Sequence, residues 1–183
     1  YVVKHYKQNL DGETYPAEPF ATDDLTGTTG ATVTPKVKTS GITGFTAPTT
    51  QTVTIAADGS LVVEYYYTRN QYTLTWNANG GEIPAEPAYT SGTIYYGASI
   101  TKPASPVWRK HTFTGWSTNG TDKTTPASTM PGGDRTYIAL WSENEYEDYV
   151  SDCQNVTDIT VHGNNGIEPE EYSTCEVAAG SSE

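Results

Sequence analysis

Four strand-like stretches occur twice along this chain in the same order, and that double series constrains the fold more than any single motif. The second series is the clearer one. It runs YTLTWNANGGEIP (Tyr72 to Pro84), YYGASITKP (Tyr95 to Pro103), HTFTGWST (His111 to Thr118) and TMPGGDRTYIALWSEN (Thr129 to Asn144). Each piece alternates apolar and polar residues between Gly, Pro, Asn or Asp, the pattern of strands joined by turns. The first series matches it piece by piece. YVVKHYKQNLDGE (Tyr1 to Glu13) parallels QYTLTWNANGGE, and GATVTP (Gly30 to Pro35) parallels GASITKP. ITGFTAP (Ile42 to Pro48) parallels FTGWSTN, and TIAADGSLVVEYYYTRN (Thr54 to Asn70) parallels the closing stretch. The landmarks Tyr6/Trp76, Gly30/Gly97, Gly44/Gly115 and Asn70/Asn144 are offset by 67 to 74 residues. Two copies of one strand-rich architecture in tandem are therefore expected.

A unit of about 70 residues buries a small core and depends on large side chains to fill it. The chain is 35% hydrophobic but uses Tyr 14 times, so aromatic and β-branched residues must supply much of that core. Trp76, Trp116 and Trp141 are the expected anchors of the second copy. In the closing strand of the first, Asp58-Gly59 gives a turn, and Leu61, Val63, Tyr65 and Tyr67 fall on one face. The equivalent inner face of the second copy is Tyr137, Ala139 and Trp141. This leaves Ile138 and Leu140 on an outer face too apolar for plain solvent, so either that face meets a neighbour or the assignment is reversed. The connections Thr14 to Thr29 and Ile83 to Ile94 carry Pro16, Pro19, Pro84 and Pro87, and have room for one short helix or none.

Charge divides the chain. Residues 1–142 hold 11 acids and all 10 Lys and Arg, whereas residues 143–183 hold the other 11 acids and no Lys or Arg. A nearly neutral body with an acidic tail lacks the basic patch that nucleic acid or an anionic membrane requires. No apolar run reaches the length of a membrane-spanning helix. Tyr1 to Leu10 reads as a strand rather than a signal peptide, so the chain begins like a segment cut from something longer.

The residues of the second series resemble the internalin B-type repeat, also called the Listeria–Bacteroides repeat. WNANGG, GASITKPASP, FTGWS and MPGGDRTYIALW carry the resemblance, over about residues 71–144. The first series, about residues 1–70, is similar to the mucin-binding-type repeat through VKHY, GFTAP and the closing hairpin. The resemblances imply mostly β, β-grasp-like (ubiquitin-like) modules with little helix, in secreted or surface-attached bacterial proteins. One departure stands out: Trp108-Arg109-Lys110-His111 lies where the repeat implies a stretch like REGYTF, which places a large aromatic at a turn.

Residues 145–183 fit neither copy. They are expected to be an acidic extension, with ITVHGNNGIEPEE (Ile159 to Glu171) as a faint echo of a further module. Cys153 and Cys175, the two cysteines, are expected to form a disulfide in an oxidising compartment. A thiol enzyme built on Cys153 and His162 would need an oriented base, and Cys175 offers an oxidising partner instead. The acids lack the ligand ladder of a calcium loop, and no cofactor or metal is expected. His5 and His111 read as ordinary strand residues. Asn119-Gly120-Thr121 and Asn155-Val156-Thr157 match glycosylation sequons.

Tyr66, Tyr95, Tyr96 and Trp108 are the candidate contacts for a sugar or peptide ligand, set against the commoner use of strand aromatics in cores and cross-strand pairs. The expected function is non-catalytic: a spacer and adhesion region, its modules joined by a short linker such as Thr68-Arg69-Asn70. Two alternatives stand beside it. One is a binding module for a host glycoprotein or polysaccharide. The other is the accessory arm of a secreted enzyme.

Overall fold

The computed structural model describes residues 1–143. The acidic extension, Cys153 and Cys175, the Asn155 sequon and the echo at Ile159 lie outside the described residues. The described residues form ten strands: β1 (Val2–Lys7), β2 (Ala21–Asp24), β3 (Thr32–Val33), β4 (Phe45–Thr46), β5 (Val53–Thr54), β6 (Val62–Arg69), β7 (Gln71–Asn77), β8 (Gly92–Tyr95), β9 (His111–Ser117) and β10 (Arg135–Glu143). No helix occurs among the described residues.

The strands form two four-stranded sheets, ordered β2-β1-β6-β4 and β8-β7-β10-β9, and a two-stranded ladder of β3 with β5. Both large sheets obey one rule. The first and last strands of the series lie side by side at the centre and run parallel, with an antiparallel strand outside each. β1 registers on β6 from Val2↔Val62 to Lys7↔Tyr67, and β7 registers on β10 from Leu74↔Arg135 to Asn77↔Ile138.

Alternation places the first core as expected. Val3, Val63, Tyr65 and Tyr67 are buried together, and Tyr1, Leu61, Phe45 and Val53 pack against them. The tyrosine hydroxyls stay bonded inside. Tyr65 Oη donates to the Pro35 carbonyl at 2.7 Å and accepts the Gln51 N–H at 3.1 Å. Tyr67 Oη accepts the Lys38 N–H at 2.5 Å. Buried tyrosines thus supply apolar area and also fasten two irregular loops whose backbone groups would otherwise be unpaired.

The second core gathers Leu74, Trp76, Ile100, Trp116, Met130, Tyr137 and Ala139. Trp76 stacks on Tyr137 at 4.8 Å and meets Trp116 edge-on at 4.9 Å, while its Nε1 donates to the Thr90 carbonyl. The expected inner face of β10 is correct: Tyr137 and Ala139 are buried, Trp141 packs against the core, and Ile138 and Leu140 are half-buried. One feature of β9 departs from simple alternation. Leu140 pairs with Gly115 but Trp141 pairs with Phe113, so Thr114 is an extra residue. This bulge brings Phe113 and Trp116, three apart in sequence, onto the same face with ring centroids 5.3 Å apart.

β6 and β7 are separated by Asn70 alone. The Asn70 N–H donates to the Gly44 carbonyl and its C=O accepts the Tyr96 N–H, each at 2.9 Å. Backbone pairing therefore passes through Asn70 from one sheet to the other. The stretch that reads as a linker in the sequence is the end of β6 and a single residue bonded to both sides.

Candidate functional site

Four aromatic residues were singled out by the sequence, and the structure places them in three different settings. Tyr66 lies on the outer face of the first sheet, opposite Tyr65 and Tyr67, and is 42% exposed. Its ring stacks on Tyr6 at 5.1 Å and takes Tyr15 edge-on at 4.8 Å. Glu64 on the same face joins the two hydroxyls: Oε2 accepts from Tyr66 at 2.8 Å and Oε1 from Tyr6 at 3.3 Å. The hydrogen bond to Glu64 raises the Tyr66 phenol above its ordinary range, whereas burial, followed by Glu64, raises Tyr6. Lys4, Gln51 and Val62 complete a shallow open groove beside Tyr66 and Glu64.

Trp108 occupies the turn Trp108-Arg109-Lys110-His111, closed by the His111 N–H on the Trp108 carbonyl, with Lys110 at φ 69°. The His111 ring lies parallel on the indole, 3.6 Å between centroids. A Cβ on Gly80 would fall 2.6 Å from Cη2 and 2.9 Å from Cζ2 and Cζ3, so Gly80 backbone sits against the benzo ring of Trp108. Trp108 also meets Trp141 edge-on at 5.6 Å. Its contacts with His111 and Gly80 make it a cap over the end of the second core, although it is 37% exposed. His111 is thus more than an ordinary strand residue: it packs the turn that the Trp108 departure creates.

Tyr95 and Tyr96 are half-buried and face the first sheet unit. A Cβ on Gly12 would collide with the Tyr95 phenol, and one on Gly44 with the Tyr96 ring. Both glycines also have positive φ, 72° and 77°, so each position is closed to side chains twice over. Phe45 meets Tyr96 edge-on at 5.9 Å.

Sequence reasoning missed one buried polar chain. His5, read as an ordinary strand residue, is fully buried; its Nδ1 lies 2.9 Å from Tyr67 Oη and its Nε2 3.1 Å from Asp23 Oδ2. Asp23 Oδ1 accepts from Lys38 Nζ at 2.5 Å. The hydrogen bond from Lys38, aided by His5 and opposed by partial burial, holds the Asp23 carboxyl below its ordinary range. The order Asp–His–hydroxyl is that of a nucleophilic relay, but here the hydroxyl already accepts the Lys38 N–H and Tyr65, Tyr67 and Phe20 surround the imidazole. A substrate has no approach to it. The chain is structural, joining β1, β2, β6 and the loop at Lys38.

Among the described residues no group of three or more His, Cys, Asp or Glu side chains converges as metal ligands. No helix long and apolar enough to cross a membrane occurs among them. No curated protein matches the chain. A family match falls on the sheet of β7 to β10: residues 72–139 match the Listeria-Bacteroides repeat domain.

Proposed function

We propose that this chain is a tension-bearing spacer and adhesion segment of a bacterial surface or secreted protein. In this reading it consists of two β-grasp-like modules, a mucin-binding-type repeat at 1–70 and an internalin B-type repeat at 71–144, followed by the acidic extension 145–183. The observation that carries the reading is the parallel pairing of first and last strands at the centre of both sheets. Chain enters a unit at one end of the first strand and leaves at the opposite end of the last. A pull on the two ends therefore loads the inter-strand hydrogen bonds along the strands and all at once, instead of opening them one by one. Such a unit transmits force while folded.

Single-molecule pulling of the chain between its two ends tests this. The expected record shows two unfolding events, each at a force well above that of a hairpin opened from its free ends. Extension at low force without discrete events would sink the reading. In the same reading Cys153 and Cys175 form a disulfide, and ready alkylation of both thiols in unreduced folded protein would contradict that.

The groove at Tyr66 favours a second reading, a binding module for a host glycoprotein or polysaccharide. A partly exposed aromatic ring beside a carboxylate, an ammonium group and a carboxamide suits a hydroxyl-rich ligand. Glycan-array binding that is lost in Tyr66→Ala and kept in Trp108→Ala would support this groove; absence of binding by the unaltered chain would remove it.

A further inference from the structure

The contacts around Asn70 form more than a peptide connection. Arg69 ends β6, and its guanidinium is fixed on both sides of the boundary. Nε donates to the carbonyls of Gln8 (2.9 Å) and Asn9 (3.2 Å) in the first unit, and Nη1 donates to the Tyr96 carbonyl (2.8 Å) in the second. The group also lies over the Phe45 ring at 4.6 Å. Gln8 holds the Arg69 N–H through Oε1 and the Gly12 carbonyl through Nε2. This sets the loop on which Tyr95 rests. Across the boundary Gly44 and Phe45 receive Tyr96, and Thr43 lies beside Gly132.

We propose that the far end of the first unit and the Tyr95–Tyr96 hairpin of the second are a dedicated docking pair that fixes the two units in one orientation. The receptor half consists of two positive-φ glycines, Gly12 and Gly44, with Phe45 and Arg69; the inserted half consists of two tyrosine rings and one carbonyl. The partner this surface fits is a following unit that presents an aromatic pair before a turn. The geometry assigns Tyr95 and Tyr96 to cohesion within the chain.

The matching end of the second unit is built differently, which gives the pair its selectivity. Glu143 stands one residue before Asn144, as Arg69 stands before Asn70. A carboxylate there has no hydrogen to give a carbonyl. Gly81, in the place of Gly12, is covered by Trp141 and the Val107 backbone, and Gly115, in the place of Gly44, is covered by the Lys123 side chain. The second unit closes its own end; the first leaves its end to be closed by its neighbour.

Backbone ¹⁵N relaxation on the full chain tests the proposal without cutting it. In the unaltered protein one rotational diffusion tensor is expected to describe the amides of both sheets. Arg69→Glu, which installs the charge found at Glu143, and Tyr96→Ala are expected to split that description into two independent tensors. Tyr66→Ala, away from the junction, is expected to keep one. Separate tumbling of the two sheets in the unaltered protein would overturn the proposal. So would a single shared tensor in Arg69→Glu with both sheets intact by amide shifts. If a variant fails to fold, the unaltered protein still decides.

Discussion

At the scale of single residues, this chain answers the question of how a unit this small holds long irregular loops without a helix. Tyrosine hydroxyls buried at the sheet centre bond to loop backbone, so removing one oxygen atom should matter. Tyr65→Phe keeps the ring but leaves the Pro35 carbonyl and the Gln51 N–H without their partner. The expected loss is about 1–3 kcal/mol in urea unfolding. An unchanged midpoint would mean that water replaces the hydroxyl. The Asp23 carboxyl gives a pH signature. Its folded-state pKa is lowered, so its contribution is complete above the ordinary carboxylate range and is lost as pH falls through the folded value. Below about pH 4 the protein should lose stability more steeply than Asp23→Asn does, read as unfolding midpoints across acidic pH. Asp11 and Asp58 are lowered in the same direction by Thr14 and Ser60, so the variant keeps part of the slope. Little of this was readable beforehand. His5 reads as an ordinary strand residue, and nothing local marks Asp23 as its partner, because the contact depends on the register of β1 against β2, His5↔Ala21.

At the scale of elements, the alternating pattern carried most of the information, and it failed where a strand stops alternating. β6 reads directly as one buried and one outer face, and both were placed correctly because eight residues keep strict period two. In β9 the spacing of Phe113 and Trp116 contradicts period two, and only the bulge at Thr114 reconciles it. The Gly115 beside it was visible in the sequence as a breaker, although its consequence for the facing residues was not. Deleting Thr114 tests the point. The shortened strand should carry Phe113 away from Trp116 and Trp141, and lose on the order of 3 kcal/mol, the scale of a phenyl ring removed from a core. Thermal unfolding followed by tryptophan fluorescence would report it, and an unaltered transition would show that the bulge is dispensable. Short elements such as β3 and β4 were legible only through their match to the second series, since two residues are too few to show a period.

At the scale of the whole chain, the repeat in the sequence correctly announced two similar sheets but not how they meet. Thr68-Arg69-Asn70 looks like a linker because it is short and polar, whereas the Asn70 side chain is held on both sides: Oδ1 accepts from Thr46 Oγ1 and Nδ2 donates to Tyr72 Oη. Tyr95 and Tyr96 drew attention as a paired aromatic surface, and their partners lie in a segment more than 50 residues earlier, beyond any local pattern. The central pairing of first with last strand has a further consequence, for the timing of folding. The strand that opens each unit cannot find its parallel neighbour until the strand that closes the unit has been synthesised, because about sixty residues separate their partners. A chain emerging residue by residue holds each unit open until its final strand is free, and then closes it in one step. Folding is thereby timed by chain length: the first sheet forms as β6 emerges, and the strand that completes it leads straight into the one that begins the next.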